Sequence, residues 1–325
     1  MTAQEFTSPW WLPDGHTQTL WRRFVPGHKL HQRRQRVELS DSDFIDVDWV
    51  DGPGDQRRPV VFLLHGLCGS SGSPYIVSLQ RLLQQTGYTS VAMNFRGCSG
   101  EINRLARAYH SGCSDDVEEV YQAVRRNAGD RPFAFVGFSL GGNVLLNWLA
   151  QLGSSHSVLG GVAVSTPFSL AYCSEALNSG ISRFYGRYFR GRLVRDVEAK
   201  RDWFRHKGWH KEAEKLAQLG DLRRLQTLWE FDDQVTAPLH GFADAPDYYA
   251  RCSSGSVLSA IRVPALLIQS RNDPIIPARS LPDHTALPER MRLLLTEAGG
   301  HVGFTSATDP MWLESRILEA IRQLD

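Results

Sequence analysis

Across much of the chain after residue 59, short apolar runs alternate with helix-length amphipathic segments, and this alternation constrains the fold more than any other feature. A run that is apolar throughout is typical of a strand buried on both faces of a sheet. Alternation of such strands with helices indicates parallel βαβ units, so we predict an α/β fold with a mostly parallel central sheet flanked by helices. The predicted strands are Val60–Leu64, Thr89–Phe95, Phe133–Gly137, Val158–Ser165, Pro264–Gln269 and Met291–Thr296, and the predicted helices are Tyr75–Gln85, Asp115–Arg126, Leu140–Leu152 and Met311–Leu324.

Two segments depart from this alternation. Residues 167–250 have a helical pattern, many aromatic side chains and no clear strand, so we predict a helical insertion, or lid. It divides the α/β core into residues 36–166 and 251–325. Residues 1–35 mix aromatic, proline and basic residues without periodicity, and we predict an irregular N-terminal arm. Two strand-like stretches between the arm and the alternating region suit the edge of the sheet, Arg36–Leu39 and Phe44–Val50.

The composition argues against several classes of function. The chain has 325 residues and carries 36 Lys and Arg against 35 Asp and Glu, so no overall field attracts nucleic acid or an anionic membrane. No stretch approaches the roughly 20 apolar residues of a membrane span, and the N-terminus lacks the pattern of a secretory signal. The 5 cysteines form no C-x-x-C pair and no zinc-like spacing, which fits a reducing compartment. We expect a cytoplasmic protein without a bound metal or nucleic acid.

The predicted strand ending at Gly137 leads directly into Gly137-Phe-Ser139-Leu-Gly141, and a helical segment follows. This is the pattern G-x-S-x-G at a strand-to-helix junction, where the serine occupies a strained turn and the small residues let strand and helix approach closely. A glycine-rich βα turn is common in any doubly wound sheet, but the flanking strand and helix favour the catalytic interpretation. We therefore predict Ser139 as a nucleophile whose Oγ projects at the carboxyl edge of the sheet.

The order of residues along the chain identifies a base among the 11 histidines. In folds with this serine turn, the catalytic residues follow the order Ser, then Asp or Glu, then His, each after a successive strand. His301 lies after the strand Met291–Thr296 in a glycine-rich loop. His284 precedes that strand, and its neighbours Pro282, Asp283 and Thr285 are typical of a solvated loop. We predict His301 as the general base.

The acid follows from the same order. Asp273 comes directly after an apolar strand, and Pro274 stiffens the turn. Its carboxylate can accept a hydrogen bond from Nδ1–H of His301 and so fix the tautomer of the imidazole. Asp232 and Asp233 compete for this role, but they lie in the predicted insertion, where turn or cap roles explain them.

The loop after the strand Val60–Leu64 reads His65-Gly-Leu67-Cys-Gly-Ser-Ser-Gly72. A loop in this position supplies one backbone N–H of an oxyanion hole, and the residue after the nucleophile supplies the other. We assign these donors to Leu67 and Leu140. The loop lacks the spacing G-x-x-x-x-G-K-[ST] of a phosphate-binding loop, so we expect no nucleotide cofactor.

Two weaker patterns have ordinary explanations. His110 and Asp115 form H-x-x-x-x-D, a spacing found in some acyltransferases, but Asp115 also suits the start of the following helix. The insertion contains a run of arginines near aromatic residues, which could face anionic lipid. Acidic residues follow closely, and a solvated helical face explains the run at least as well. The arginines are Arg183, Arg187, Arg190, Arg192 and Arg195.

Taken together, several segments of the chain resemble the bacterial YheT-like hydrolases, which are related to eukaryotic alpha/beta-hydrolase-domain lipases and to yeast and plant esterases. The resemblance extends from about Trp10 to the C-terminal helix. It implies the α/β-hydrolase fold, hydrolysis of short-chain carboxylic esters or monoacylglycerols without a cofactor, and a triad of Ser139, Asp273 and His301. The segments are His65–Leu67, Phe95–Glu101, Tyr109–Gly112, Gly137–Asn143, Glu230–Asp233 and Gly299–Phe304.

The function expected from these residues is ester hydrolysis through an acyl-enzyme, with a small-molecule ester or lipid as substrate. An acyltransferase or a thioesterase using the same triad is an alternative within enzymes. A catalytically silent hydrolase fold that acts as a binding protein is an alternative from another class. A dehalogenase or an epoxide hydrolase would need an aspartate in place of Ser139 and is excluded. The sequence predicts no oligomeric state.

Overall fold

The computed structural model describes residues 6–24, 30–53, 57–152 and 157–325. Within these residues, 8 strands form one sheet in the order β1-β2-β4-β3-β5-β6-β7-β8. Neighbouring strands from β4 to β8 run parallel, whereas β2 runs antiparallel to β1 and β4. The predicted mostly parallel α/β sheet is confirmed. The strands are Arg33–Glu38 (β1), Phe44–Val50 (β2), Val60–Leu64 (β3), Ser90–Met93 (β4), Phe133–Phe138 (β5), Val158–Val164 (β6), Ala265–Ser270 (β7) and Met291–Thr296 (β8).

Helices cover both faces of the sheet and fill the chain between β6 and β7. The helices are Gly15–Phe24 (α1), Pro74–Gln85 (α2), Ser114–Ala128 (α3), Leu140–Gln151 (α4), Leu170–Ala176 (α5), Arg183–His206 (α6), His210–Ala217 (α7), Leu228–Phe231 (α8), Ala237–His240 (α9), Ala245–Cys252 (α10) and Trp312–Leu324 (α11). A π-helical turn, Asp232–Thr236, joins α8 to α9. The division of the chain into arm, core and lid stays a prediction. None of the helices in the described ranges is long and apolar enough to cross a membrane.

The core has two layers because side chains of each strand alternate between the faces of the sheet. In β3, Phe62 and Leu64 pack on the face covered by α3 and α4, together with Trp148. Val61 and Leu63 pack on the opposite face with residues of α2 and α11. Every residue of β3 is fully buried. This rigid sheet fixes the positions of the loops at the carboxyl ends of its strands.

The N-terminal segment contains a helix, so the expectation of an irregular arm is wrong for this part. The helix α1 begins after Asp14, whose carboxylate accepts a hydrogen bond from the Thr17 N–H at 2.9 Å and caps the helix. Gln18 in α1 binds the backbone of Thr305 through both its amide oxygen, at 2.9 Å, and its amide nitrogen, at 3.0 Å. Contacts between such distant residues leave no periodic pattern in the sequence.

The strand β2 lies inside the sheet, and β1 forms the edge of the sheet. β1 begins at Arg33, three residues before the predicted start at Arg36. All of β2 is buried, including Asp46 and Asp48. Arg36 lies opposite Asp46 and Arg34 opposite Asp48, and each pair forms a salt bridge. These cross-strand pairs compensate the buried charges and explain the imperfect alternation of β2 in the sequence.

Candidate active site

Ser139 occupies a sharp turn between β5 and α4. Its backbone has φ 52° and ψ −120°, a strained conformation for a residue other than glycine. The turn is closed by two glycines, because a Cβ on Gly137 would lie only 2.4 Å from the carbonyl oxygen of Gly141. The sequence pattern therefore builds a turn that presents the Ser139 hydroxyl at the carboxyl end of β5.

His301 lies in the loop after β8, and two distant side chains fix this loop. The His301 N–H donates a hydrogen bond to Thr19 Oγ1 of α1 at 2.8 Å. The N–H of Val302, which has φ 56°, donates to Ser165 Oγ at 3.0 Å. The loop also lies tightly on α1, since a Cβ on Gly300 would lie 2.4 Å from the Gly15 carbonyl oxygen. Neither Thr19 nor Ser165 lies in a recognised motif, so the sequence does not reveal these two contacts.

The structure brings Ser139, His301 and Asp273 together in one hydrogen-bonded chain. His301 Nε2 lies 2.9 Å from Ser139 Oγ, and His301 Nδ1 lies 2.8 Å from Asp273 Oδ2. The Asp273 side chain is fully buried after β7, and its other oxygen accepts hydrogen bonds from the backbone N–H groups of Ile275 and Ile276 at 2.8 and 3.0 Å. An ionised carboxylate only accepts hydrogen bonds, so Nδ1 donates to it and Nε2 is left to accept from the serine hydroxyl.

The loop after β3 lies beside Ser139. A Cβ on Gly66 would lie 3.1 Å from Ser139 Cβ. The N–H groups on either side of Leu67 are occupied, because Gly66 donates to Tyr75 Oη and Cys68 donates to Tyr109 Oη, both at 2.9 Å. Among the described residues, the Leu67 N–H meets no acceptor.

Leu140 supplies a second such group. It is the first residue of α4, so its N–H has no carbonyl one turn earlier in the helix. Leu67 and Leu140 line the same cavity as Ser139 and His301. Two N–H groups without helical or loop partners therefore accompany the serine hydroxyl.

His65 holds the loop after β3 in place. Its imidazole is buried, and burial lowers its pKa to about 4, so it is neutral at physiological pH. Nδ1 donates to the Gly66 carbonyl oxygen at 2.8 Å, and Nε2 accepts from the Phe95 N–H at 3.1 Å. The histidine before the glycine is thus a structural residue that ties two strand ends together.

Two cavities meet at the serine. The inner cavity, of about 100 Å³, extends beneath the helices between β6 and β7. The outer cleft, of about 650 Å³, lies between α1, the loop after β3 and the first turns of α6. Leu67, Ser139, Phe189, Ile275 and His301 line both spaces, so the hydrogen-bonded chain stands at their junction.

The remaining candidates of the sequence analysis lie elsewhere or have other partners. His284 is exposed in a turn before β8. His110 Nδ1 accepts from the Gly112 N–H, whereas the Asp115 carboxylate binds Arg107, so the H-x-x-x-x-D residues do not form a pair. In the insertion, the aromatic residues Phe184 and Tyr188 line the outer cleft, and Phe184 is 60% exposed.

The two acidic candidates Asp232 and Asp233 have different environments. Asp233 accepts a hydrogen bond from the Ala245 N–H at the start of α10, as a turn or cap role predicts. Asp232 lies in the π-helical turn and accepts from the Thr236 hydroxyl within it, which agrees with a turn role. Its carboxylate also binds the Tyr249 hydroxyl, and the residue lines the inner cavity, which the sequence did not indicate.

The sheet, the serine turn and the neighbouring histidine and aspartate define an α/β hydrolase. A family model described as alpha/beta hydrolase fold matches residues 59–307. The chain is 42% identical over 310 residues to YheT of Escherichia coli (strain K12), whose name gives it provisionally as an esterase, and the match covers 93% of this chain and 88% of that protein. The chain belongs to the α/β-hydrolase fold family and, within it, to the YheT-like hydrolases, as the resemblance implied.

Two further comparisons agree with this assignment. The chain is 28% identical over 309 residues to phospholipase ABHD3 of Homo sapiens, covering 92% of this chain and 73% of that protein. The solved structure of the Pyrococcus furiosus esterase Pf2001 has a TM-score of 0.55 with 18% identity, covering 92% of this chain and 97% of that chain. At this identity the structural similarity concerns the fold alone.

Proposed function

We propose that the protein hydrolyses carboxylic esters, with Ser139 as nucleophile, His301 as general base and Asp273 as the acid that orients the base. The observation that carries this proposal is the hydrogen-bonded chain from Ser139 Oγ through His301 to Asp273, at the junction of two cavities lined largely by apolar side chains. The name of YheT, which refers to an esterase, supports the same reaction class.

The reaction has two halves that use the same histidine. In the first, His301 Nε2 accepts the Ser139 proton while Oγ attacks the ester carbonyl, and the protonated imidazole then gives this proton to the leaving alcohol. In the second, His301 accepts a proton from water, which attacks the acyl-enzyme and releases the carboxylic acid and Ser139. Asp273 stabilises the imidazolium that forms in each half.

The developing oxyanion is bound by the N–H groups of Leu67 and Leu140. These two groups lack other acceptors, line the cavity of the nucleophile and come from the loop after β3 and the start of α4, as this fold requires. The N-terminus of α4 adds a favourable dipole. Tyr75 and Tyr109 occupy the neighbouring N–H groups and so keep the Leu67 N–H as the donor on this loop.

The two cavities receive different parts of the substrate. The protonated His301 delivers its proton to the leaving alcohol, so the alcohol lies on the His301 side of the serine. Thr19 and Val302, which flank His301, line only the outer cleft, whereas Leu140 lines only the inner cavity. The alcohol part therefore occupies the outer cleft, and a short acyl group occupies the inner cavity.

Active-site labelling tests the proposal directly. A fluorophosphonate probe should modify Ser139, as located by peptide mass spectrometry, and should block hydrolysis of p-nitrophenyl butyrate. Product analysis with added alcohol or thiol acceptors separates hydrolysis from acyl transfer. A folded protein that neither reacts with the probe nor hydrolyses the ester would be a silent binding protein, and the proposal would be rejected.

The acyl-chain preference is the first expected consequence. Because the inner cavity holds about 100 Å³, kcat/KM for p-nitrophenyl esters should be highest between acetate and butyrate and should fall towards palmitate. Leu228→Phe narrows this cavity and should lower kcat/KM for butyrate relative to acetate by about tenfold. Leu105→Phe, which lines neither cavity, serves as the control. A preference for palmitate would contradict the assignment of the inner cavity to the acyl group.

The contact between α1 and the His301 loop gives a second expected result. Thr19→Val keeps the shape of the side chain but removes the acceptor of the His301 N–H, so the imidazole loses its fixed position. We expect kcat to fall about 10- to 100-fold with a smaller change in KM. Thr19→Ser retains the hydroxyl and should keep most of the activity. If the valine variant has the kcat of the serine variant, this contact does not position the base.

A further inference from the structure

The inner cavity has a polar lining that the proposed reaction does not use. Its apolar lining includes Leu177, Leu228 and Ile276. Hydroxyl and carboxyl groups also line the cavity, in contrast to the purely apolar lining that a plain alkyl chain would require. The polar residues are Ser174, Asp232, Thr236, Tyr248 and Tyr249.

Asp232 is the centre of this polar lining. It is the first residue of the π-helical turn, and Thr236 is the last. One oxygen of the Asp232 carboxylate accepts a hydrogen bond from the Thr236 hydroxyl at 2.7 Å. The other oxygen accepts from the Tyr249 hydroxyl at 2.6 Å. A carboxylate has about four acceptor positions, so two protein donors leave capacity for a further donor.

Within the described part of the chain, no Lys, Arg or His side chain pairs with Asp232. Burial raises the pKa of its carboxyl to about 6. His110 lines the same cavity, but burial lowers its pKa to about 3, so it is neutral. A buried carboxylate without a cation is costly unless it is hydrogen-bonded, which makes an arriving donor favourable.

Asp232 links the π-helical turn to α10 through Tyr249, and it also lines the inner cavity. Its neighbour Asp233 supplies the backbone cap in this region, and Asp232 binds only side-chain hydroxyls. Asp232 and Ser139 line the same cavity, together with apolar side chains. The cavity therefore combines apolar walls, which fit a few carbon atoms, with a hydrogen-bond acceptor.

We propose that Asp232 determines acyl specificity by accepting a hydrogen bond from a hydroxyl or ammonium group on the acyl chain of the substrate. This inference rests on the proposed function, because it takes the inner cavity as the acyl site. A plain alkyl end placed against the carboxylate would exclude water from an acceptor without replacing its hydrogen bonds. A short acyl chain with a donor satisfies both the apolar walls and the polar lining.

Matched ethyl esters test the proposal. The esters are ethyl butanoate, ethyl 3-hydroxybutanoate and ethyl 3-aminobutanoate, with hydrolysis followed by titration of the acid released. For the wild-type protein, we expect kcat/KM for at least one donor-bearing ester to exceed that for ethyl butanoate by roughly 10- to 100-fold. The hydroxyl and ammonium esters distinguish the two donor chemistries. A wild-type protein that hydrolyses all three esters with equal kcat/KM overturns the proposal.

Variants in the polar lining separate specificity from structure. Asp232→Leu removes the acceptor and should reduce the donor preference to a ratio near one. Asp232→Asn keeps an acceptor but removes the charge, so a preference for the ammonium ester should disappear even if a preference for the hydroxyl ester persists. Tyr249→Phe, the matched control, removes a protein donor and leaves the carboxylate, so the preference should remain. An equal loss for all three esters in both Asp232 variants would mean a structural role and overturn the proposal.

The outcomes also separate this inference from the proposed function. If the wild-type protein hydrolyses ethyl butanoate and reacts with the fluorophosphonate probe but shows no donor preference, only the role of Asp232 fails. If it hydrolyses none of the esters and does not react with the probe, the proposed function itself fails. Because the wild-type preference is measured without any substitution, the inference is testable even if Asp232→Leu does not fold.

Discussion

Ser139→Ala is expected to lower kcat for p-nitrophenyl butyrate by about 10⁴-fold or more and to abolish reaction with a fluorophosphonate probe. The alanine variant lacks the oxygen that attacks the carbonyl, while His301 and the two N–H groups of the proposed oxyanion hole remain. Residual hydrolysis would then come only from binding and from water activated by the histidine. Initial rates and probe labelling, measured on the same preparation, check this expectation.

The substitution should leave the fold intact. The Ser139 hydroxyl faces the two cavities and binds His301, and it makes no contact that closes the turn. The turn itself depends on Gly137 and Gly141, which are unchanged. Circular dichroism and the midpoint of thermal unfolding should therefore match those of the wild type, and Ser259→Ala, which removes an exposed hydroxyl, should retain full activity. Wild-type activity in Ser139→Ala would reject the nucleophile assignment.

The sequence predicted the sheet and the location of the hydrogen-bonded chain because both depend on local patterns. The buried parallel strands are largely apolar, and the turn at Ser139 is defined by five consecutive residues between a strand and a helix. Asp273 and His301 each follow a strand of that sheet. Since parallel strands end at the same edge, chain order was sufficient to predict that the three side chains meet.

Features formed by contacts between distant segments could not be predicted in this way. Thr19 supports the His301 loop from α1, more than 280 residues earlier in the chain, and no sequence motif includes it. Asp46 is buried in β2 only because Arg36 lies directly opposite it in the neighbouring strand. For Asp232 the sequence suggested a turn or cap role, and its partner Tyr249, which belongs to another helix, could not be identified from local sequence. In each case the environment of the side chain, and not its type, determines its role.

In the proposed mechanism, neighbouring hydrogen bonds limit which partners the loop after β3 and Asp273 can bind. Gly66, Leu67 and Cys68 are consecutive in one loop. Tyrosine hydroxyls accept from the N–H groups of Gly66 and Cys68, whereas the Leu67 N–H is left without a partner among the described residues. The same selectivity holds at Asp273, where two backbone N–H groups occupy one oxygen and leave the other for the histidine. The neighbouring groups already have hydrogen-bond partners in this structure. In the proposed mechanism, the Leu67 N–H is therefore left for the oxyanion and the second oxygen of Asp273 for His301.

Asp273→Asn is expected to lower kcat/KM for p-nitrophenyl butyrate by about 10⁴-fold although the side chain keeps its size and shape. In the variant, the amide oxygen can still accept from the N–H groups of Ile275 and Ile276, which turns the amide nitrogen towards His301. That nitrogen donates to Nδ1, so the imidazole proton moves to Nε2. His301 then presents a donor to Ser139 Oγ and cannot accept the serine proton.

The tautomer argument distinguishes this effect from a loss of folding. Asp273→Asn should unfold cooperatively like the wild type, and Asp283→Asn, at an exposed turn, should retain full activity as the matched control. Kinetics with p-nitrophenyl butyrate should show the loss mainly in kcat, because the inner cavity and the outer cleft are unchanged. A decrease of less than tenfold in a folded variant would mean that Asp273 does not set the tautomer of His301, and another group would have to orient the base.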